Sequence, residues 1–277
     1  MKWVVLIFFL PILAFAEKKA GEPVVLASYL EAFLATDASS SSTESFYEHI
    51  QKLESKRNSF RTEESFLRYV FNKTHSHFLK DFQAYTSFGQ LLDKGKYNCL
   101  TATALYALIL EQLGVQYEII ETNYHIFILA HATDSGSAIL LETTDPIEGF
   151  VSEDKEIENR ITKYKQNTIS ETKAKKDYYK LSCNLYARVE LDEVVGLLHY
   201  NLAIASFNNQ RIDDAIKHLD KATLAYSSPR MEELTRILLL SVVESNLDAE
   251  SKERSIKTIQ TVRKRNLMAL ASVSSQQ

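Results

Sequence analysis

Cys99, His125, Glu142 and Asp145 stand in this order along the chain, and together they are the side chains of acyl chemistry at a thiol. Cys99 opens an apolar stretch, with Asn98 before it as an N-cap. A helix start presents unpaired N–H groups and the positive end of the helix dipole, and both favour a thiolate over a thiol. The same N–H groups can hold the oxyanion formed when a thiolate attacks a carbonyl. His125, 26 residues later, can take the thiol proton and return it to a leaving group. Glu142 and Asp145 are both candidates to orient the imidazole, and the sequence does not choose between them. The candidate catalytic set is therefore Cys99, His125, Asp145 and Glu142. A lone cysteine in an apolar helix is also a common core residue, so it is the ordered histidine and carboxylate that favour the chemical reading.

The elements that must position these residues are legible in the pattern. Residues 98–113 are apolar on nearly all sides, which predicts a helix buried all round. Gly114 ends it. Residues 115–121 predict a strand, 124–132 a second and 138–144 a third, the third closed by Asp145-Pro146. Residues 133–137 form a turn by composition, so the second and third strands pair as an antiparallel hairpin. Upstream, residues 23–36, 45–57 and 62–80 read as helices, with a serine-rich connection over 36–43 and a short turn over 93–97. Residues 151–180 read as a charged helix and connector. From residue 178 the pattern is helical to a polar tail at Ser272.

The run Gly95-Lys96-Tyr97-Asn98-Cys99-Leu100-Thr101-Ala102 leads into an apolar helix that ends Leu113-Gly114-Val115. Tyr124-His125-Ile126-Phe127 and Leu141-Glu142-Thr143-Thr144-Asp145-Pro146 follow it. This order resembles the transglutaminase-like superfamily, in which Cys at a helix start, His on one strand and Asp on the next form a triad within the papain-like fold. The resemblance spans about residues 60–150. It implies an α+β, papain-like domain over residues 22–165. The family's third residue is usually Asp with Thr one or two places on. Glu142-Thr143-Thr144 keeps that spacing with Glu in place of Asp, whereas Asp145 has the right type but lies three positions later, before a proline that keeps it extended. Phe127 matches an aromatic residue common two places after the histidine. Gln90 is the nearest candidate for a distant oxyanion donor.

A second resemblance lies in the tail. His199-Tyr200-Asn201-Leu202-Ala203, then Phe207, Ala215, Leu219, Ala222 and Pro229, is similar to a tetratricopeptide repeat, with His199 and Ser206 where Trp and Tyr usually stand. Small residues there let two helices approach closely. An all-helical domain over 178–271 is expected, with a plain helical hairpin as the alternative. A single repeat cannot bury its own leucines, among them Leu197, Leu198, Leu202, Leu238, Leu239 and Leu240, so the first domain or another chain must cover them.

The N-terminus reads as an export signal. Lys2 precedes an apolar run over residues 3–16 that ends Ala14-Phe15-Ala16, which gives a signal peptide over 1–16. The run is 14 residues, short of the roughly 20 that a membrane-spanning helix needs. The implied localisation is exported, periplasmic or extracellular. Net charge is −4, with no basic field, which argues against nucleic acid and acidic membrane surfaces as partners. Two cysteines do not make a disulfide framework. Cys183 reads as core, and a Cys99–Cys183 disulfide would disable the nucleophile. His75-Ser76-His77 has no neighbouring cysteine or carboxylate in ligand spacing, so a solvent-facing pair is expected rather than a metal site. The expectation is an exported cysteine-dependent acyl-transfer or amide-hydrolysing protein (protease, amidase or transglutaminase-like) acting on a peptide or protein, with no metal or organic cofactor. The alternative is an inactive exported scaffold that binds protein partners through its helical repeats.

Overall fold

A computed structural model describes residues 23–37, 41–123, 125–166 and 185–274. The signal segment, Cys183 and the last residues of the polar tail lie outside the described residues. The chain is α+β, with a five-stranded antiparallel sheet and helices on both of its faces.

Three helices open the described chain: α1 (Pro23–Leu34), α2 (Glu44–Lys56) and α3 (Glu63–Phe78). Thr62 caps α3 by accepting from the Ser65 N–H. A short parallel pair, β1 (Asp81–Phe82) and β2 (Lys96–Tyr97), flanks α4 (Phe88–Lys94), which the sequence pattern did not separate from its surroundings. Gly95 ends α4 at φ 67°, a left-handed conformation that suits glycine. The central helix α5 (Cys99–Gln112) is buried continuously from Leu100 to Leu110. Gly114, at φ 65°, turns the chain out of it into the sheet.

The sheet order is β6-β5-β4-β3-β7, formed by β3 (Gln116–Thr122), β4 (Ile126–His131), β5 (Ala138–Leu141), β6 (Phe150–Val151) and β7 (Tyr186–Val189). The hairpin expected from the sequence is the β4–β5 pair, with Ile128 opposite Leu141. Alternation splits the strands between two cores. Ile119, Ile126, Ile128, Ala130, Ile139 and Leu141 face α5, whereas Ile120, Phe127, Leu140 and Val151 face α6 (Asp154–Lys165). Two readings are corrected. Residues 186–189, expected to be helical, instead form a strand that pairs with β3, Ile119 opposite Val189. The β-branched Val189 and the aromatic Tyr186 gain more from a pleated, half-buried surface than from a helix. The sheet therefore includes chain well beyond residue 165. The third strand also ends at Leu141, so Glu142 and Asp145 lie in the turn that follows.

The C-terminal part is α7 (Val194–Asn208), α8 (Ile212–Ala225), α9 (Pro229–Glu244) and α10 (Ala249–Ser274). In the α7–α8 hairpin a Cβ on Gly196 would come within 2.9 Å of the Ala222 carbonyl, and Ala203, Ala215 and Ala222 are fully buried. Part of the tail's leucine set is buried: one hydrophobic core runs from Leu26 through α5 to Val262 and includes Leu197, Leu198 and Leu238, while Leu202 and Leu239 are half-buried. Leu240 is exposed, as are Leu224, Leu247 and Leu267. Among the described residues no helix is long and apolar enough to cross a membrane.

Candidate active site

Cys99 is the first residue of α5 and is partly exposed. A capping box fixes the helix start. The Asn98 side chain accepts from the Thr101 N–H at 2.9 Å, and the Thr101 hydroxyl accepts from the Asn98 N–H at 3.0 Å. One turn on, on the face that Cys99 shares, Thr103 is fully buried. Its hydroxyl reaches the Ile126 carbonyl at 3.4 Å and the Thr143 hydroxyl at 3.2 Å. Ile126 follows His125 and Thr143 follows Glu142, so one side chain ties the helix to β4 and to the turn after β5.

His125 closes the turn between β3 and β4. The Thr122 N–H donates to the His125 carbonyl at 2.8 Å, and the Thr122 hydroxyl accepts from the His125 N–H at 3.1 Å. Nε2 of the ring hydrogen-bonds the Glu142 carboxylate, and Cys99 is close enough to act on the ring's titration. Burial works against a charged imidazole here. Interaction with Cys99 and with the Glu142 carboxylate outweighs it, and the ring's pKa is raised to about 10. Phe127 lies nearly parallel to the imidazole, ring centres 6.3 Å apart.

Glu142 is buried, and both of its oxygens are engaged, one by His125 and the other by the Tyr164 hydroxyl of α6. The turn after it is tight: the Glu142 N–H donates to the Gly149 carbonyl at 2.7 Å, and a Cβ on Gly149 would come within 2.3 Å of the Glu142 carbonyl. Glycine is required there for space. The carboxylate alternatives thus separate in space. Asp145 is spent on the turn, where Oδ1 accepts from the N–H groups of Ile147 at 3.0 Å and Glu148 at 2.9 Å. A residue before proline, held extended, is well placed for that turn and badly placed to reach back to β4.

Gln90 lies on α4 with its side-chain oxygen accepting from the Thr86 hydroxyl at 2.9 Å, and no described contact brings it to Cys99. His75 and His77 diverge. His77 is exposed and stacks on His49, ring centres 4.9 Å apart, whereas His75 is half-buried against Tyr97. His75 is thus not solvent-facing as expected, because its turn of α3 packs on the Tyr97 ring. Among the described residues no group of three or more histidine, cysteine or acidic side chains is placed to hold a metal ion.

Sequence reasoning missed Tyr164. Its signal was a stripe, Ile157, Ile161 and Tyr164 at helical spacing, hidden in a strongly charged helix. It also missed Asn201 and Arg230 from the C-terminal helices. Asn98 donates to Asn201 at 3.3 Å, and Arg230 donates to the Thr122 and Asn123 carbonyls of the His125 turn. Comparisons with family models, with curated proteins and with solved structures found no match to this chain.

Proposed function

We propose that this chain is an exported cysteine-dependent acyl-transfer enzyme of transglutaminase-like, papain-like architecture, acting on a carboxamide of a peptide or protein. The observation that carries the reading is His125, hydrogen-bonded through Nε2 to the buried Glu142 carboxylate and electrostatically coupled to Cys99 at the start of α5. Cys99 and His125 are the catalytic residues, and Glu142 is the positioning carboxylate. The C-terminal helices are read as a degenerate tetratricopeptide-like unit.

The Cys99 thiol gives its proton to His125, and the thiolate attacks the amide carbon. The capping box satisfies the N–H groups of Asn98 and Thr101, and the helix offers no acceptor to those of Cys99 and Leu100. These two N–H groups are the donors for the developing oxyanion. Collapse of the tetrahedral species breaks the C–N bond, and His125 returns the proton to the leaving amine. The thioester then passes its acyl group to water, which gives an acid, or to an amine, which gives a new amide. His125 removes the proton of the incoming group, and the thiol is restored. Glu142 holds the ring and balances its charge throughout, and Tyr164 holds Glu142.

The test is to trap the acyl-enzyme. Incubation with glutamine- and asparagine-containing peptide libraries and a reactive amine, followed by mass spectrometry, should give a peptide adduct on Cys99 and amine-modified product. Both should be absent in Cys99→Ala. Absence of adduct and product from the wild-type protein, with the fold intact, contradicts an enzyme and leaves a binding module.

A further inference from the structure

The buried contacts of Arg230 have no explanation in the packing of its own helix. Arg230 is the second residue of α9, yet its guanidinium leaves the helix and reaches the sheet. Nε lies 2.9 Å from Oε1 of Glu121, off the line of a hydrogen bond, so the contact is an ion pair. Glu121 is itself buried on β3, and its other oxygen accepts from the Tyr226 hydroxyl at 2.7 Å. Nη2 donates to the carbonyls of Thr122 and Asn123, the two residues that lead into the His125 turn. A guanidinium is the group that can make these three contacts at once, because its donors form a rigid planar fork.

We infer that Arg230 is a positioning residue for the reaction at Cys99: from the C-terminal helices it clamps the turn that carries His125. The inference rests on the cysteine-enzyme reading above. A second contact supports it from the other side of the site. Asn201 of α7 accepts from the Asn98 side chain at 3.3 Å and donates to the Thr86 carbonyl at 2.9 Å. Asn98 is the cap of the Cys99 helix. The helical part therefore grips the cysteine through α7 and the histidine through α9. The distance between the sulfur and the imidazole is set by a body that contains neither, and the helical region is part of the site rather than an appendage to it.

The experiment uses the full chain and the substitution Arg230→Lys. Lysine keeps a positive charge near Cys99 but, as a point donor, cannot bond Glu121 and both carbonyls together. The readouts are the rate of iodoacetamide alkylation at Cys99, mapped by mass spectrometry, and the pH titration of the His125 ring by NMR. Labelling should fall by about tenfold or more, since small misplacements of reacting groups have effects of that size. The His125 titration should move down toward the ordinary imidazole range, while circular dichroism stays that of wild type. A merely structural role for Arg230 would leave the titration where it is. Should Arg230→Lys fail to fold, Glu121→Gln with Arg230→Gln removes both charges together and is read in the same way. His125→Ala, measured alongside, separates the two claims. Wild-type labelling no faster than that of His125→Ala removes the enzyme reading and this inference with it. A large effect of His125→Ala with wild-type behaviour of the Arg230 variants overturns the positioning role alone.

Discussion

The hydroxyls of Thr103 and Thr143 meet at 3.2 Å in a fully buried seam between α5 and the end of β5. The same Thr103 hydroxyl reaches the carbonyl of Ile126. The helix is tied at one point to β4 and to the turn after β5, and the three residues of the site each lie beside it: Cys99 one turn back, His125 and Glu142 one residue back.

Thr103→Val should therefore do two things. It leaves the Thr143 hydroxyl buried without this partner, a loss of about 1–3 kcal/mol in thermal or urea unfolding. It also frees α5 to shift against β4, so Cys99 alkylation should slow by more than the stability loss alone explains. Thr103→Val with Thr143→Val should recover much of the stability and none of the reactivity. Additive stability losses in that double-mutant cycle would show that the seam is not a coupled pair.

Glu142→Gln and Asp145→Ala separate the two carboxylates. Glu142→Gln keeps the shape and removes the charge that holds His125, so Cys99 alkylation should fall by about tenfold or more. Asp145→Ala removes an acceptor for two turn N–H groups and should lower stability by about 1 kcal/mol with little change in alkylation. The reverse order of effects on alkylation would place Asp145, not Glu142, behind the histidine.

Two histidines should give opposite pH signatures. The pKa of His125 is raised in the folded protein from 6.5 to about 10, so its stabilisation is fully present below pH 6.5 and is lost as pH rises through 10. The stability advantage of wild type over His125→Gln should shrink across that window. His49 is held down to about 4, by burial first and then by the charges of His77 and Lys52. Its stabilisation is present above pH 6.5 and is lost as pH falls through 4, so His49→Gln should flatten the acid side of the stability curve. Parallel curves for a variant and wild type across its own window would contradict the assignment for that histidine.

Much of the site was legible because its signals are local. Asn98 before Cys99, an all-apolar helix closed by Gly114, and a turn-rich break between two strands each announce themselves within a few residues. The carboxylate was not, because the choice depends on where β5 ends. Glu142 and Asp145 differ by three residues, and only the end of the strand at Leu141 separates the one that reaches His125 from the one that caps the following turn. Tyr164, Asn201 and Arg230 were hidden for another reason: each acts across a long sequence separation, from a helix whose own pattern only reports burial. Strand β7 was misread as helix because its four residues are specified by pairing with β3 rather than by alternation of their own.

The most direct measurement is the alkylation rate of each cysteine at mildly acidic pH, by mass spectrometry, in wild type and in His125→Ala. The account predicts that Cys99 reacts well ahead of Cys183, and that His125→Ala slows Cys99 with the fold unchanged. Equal slow labelling of both cysteines, or no labelling of Cys99 until a disulfide is reduced, would contradict it.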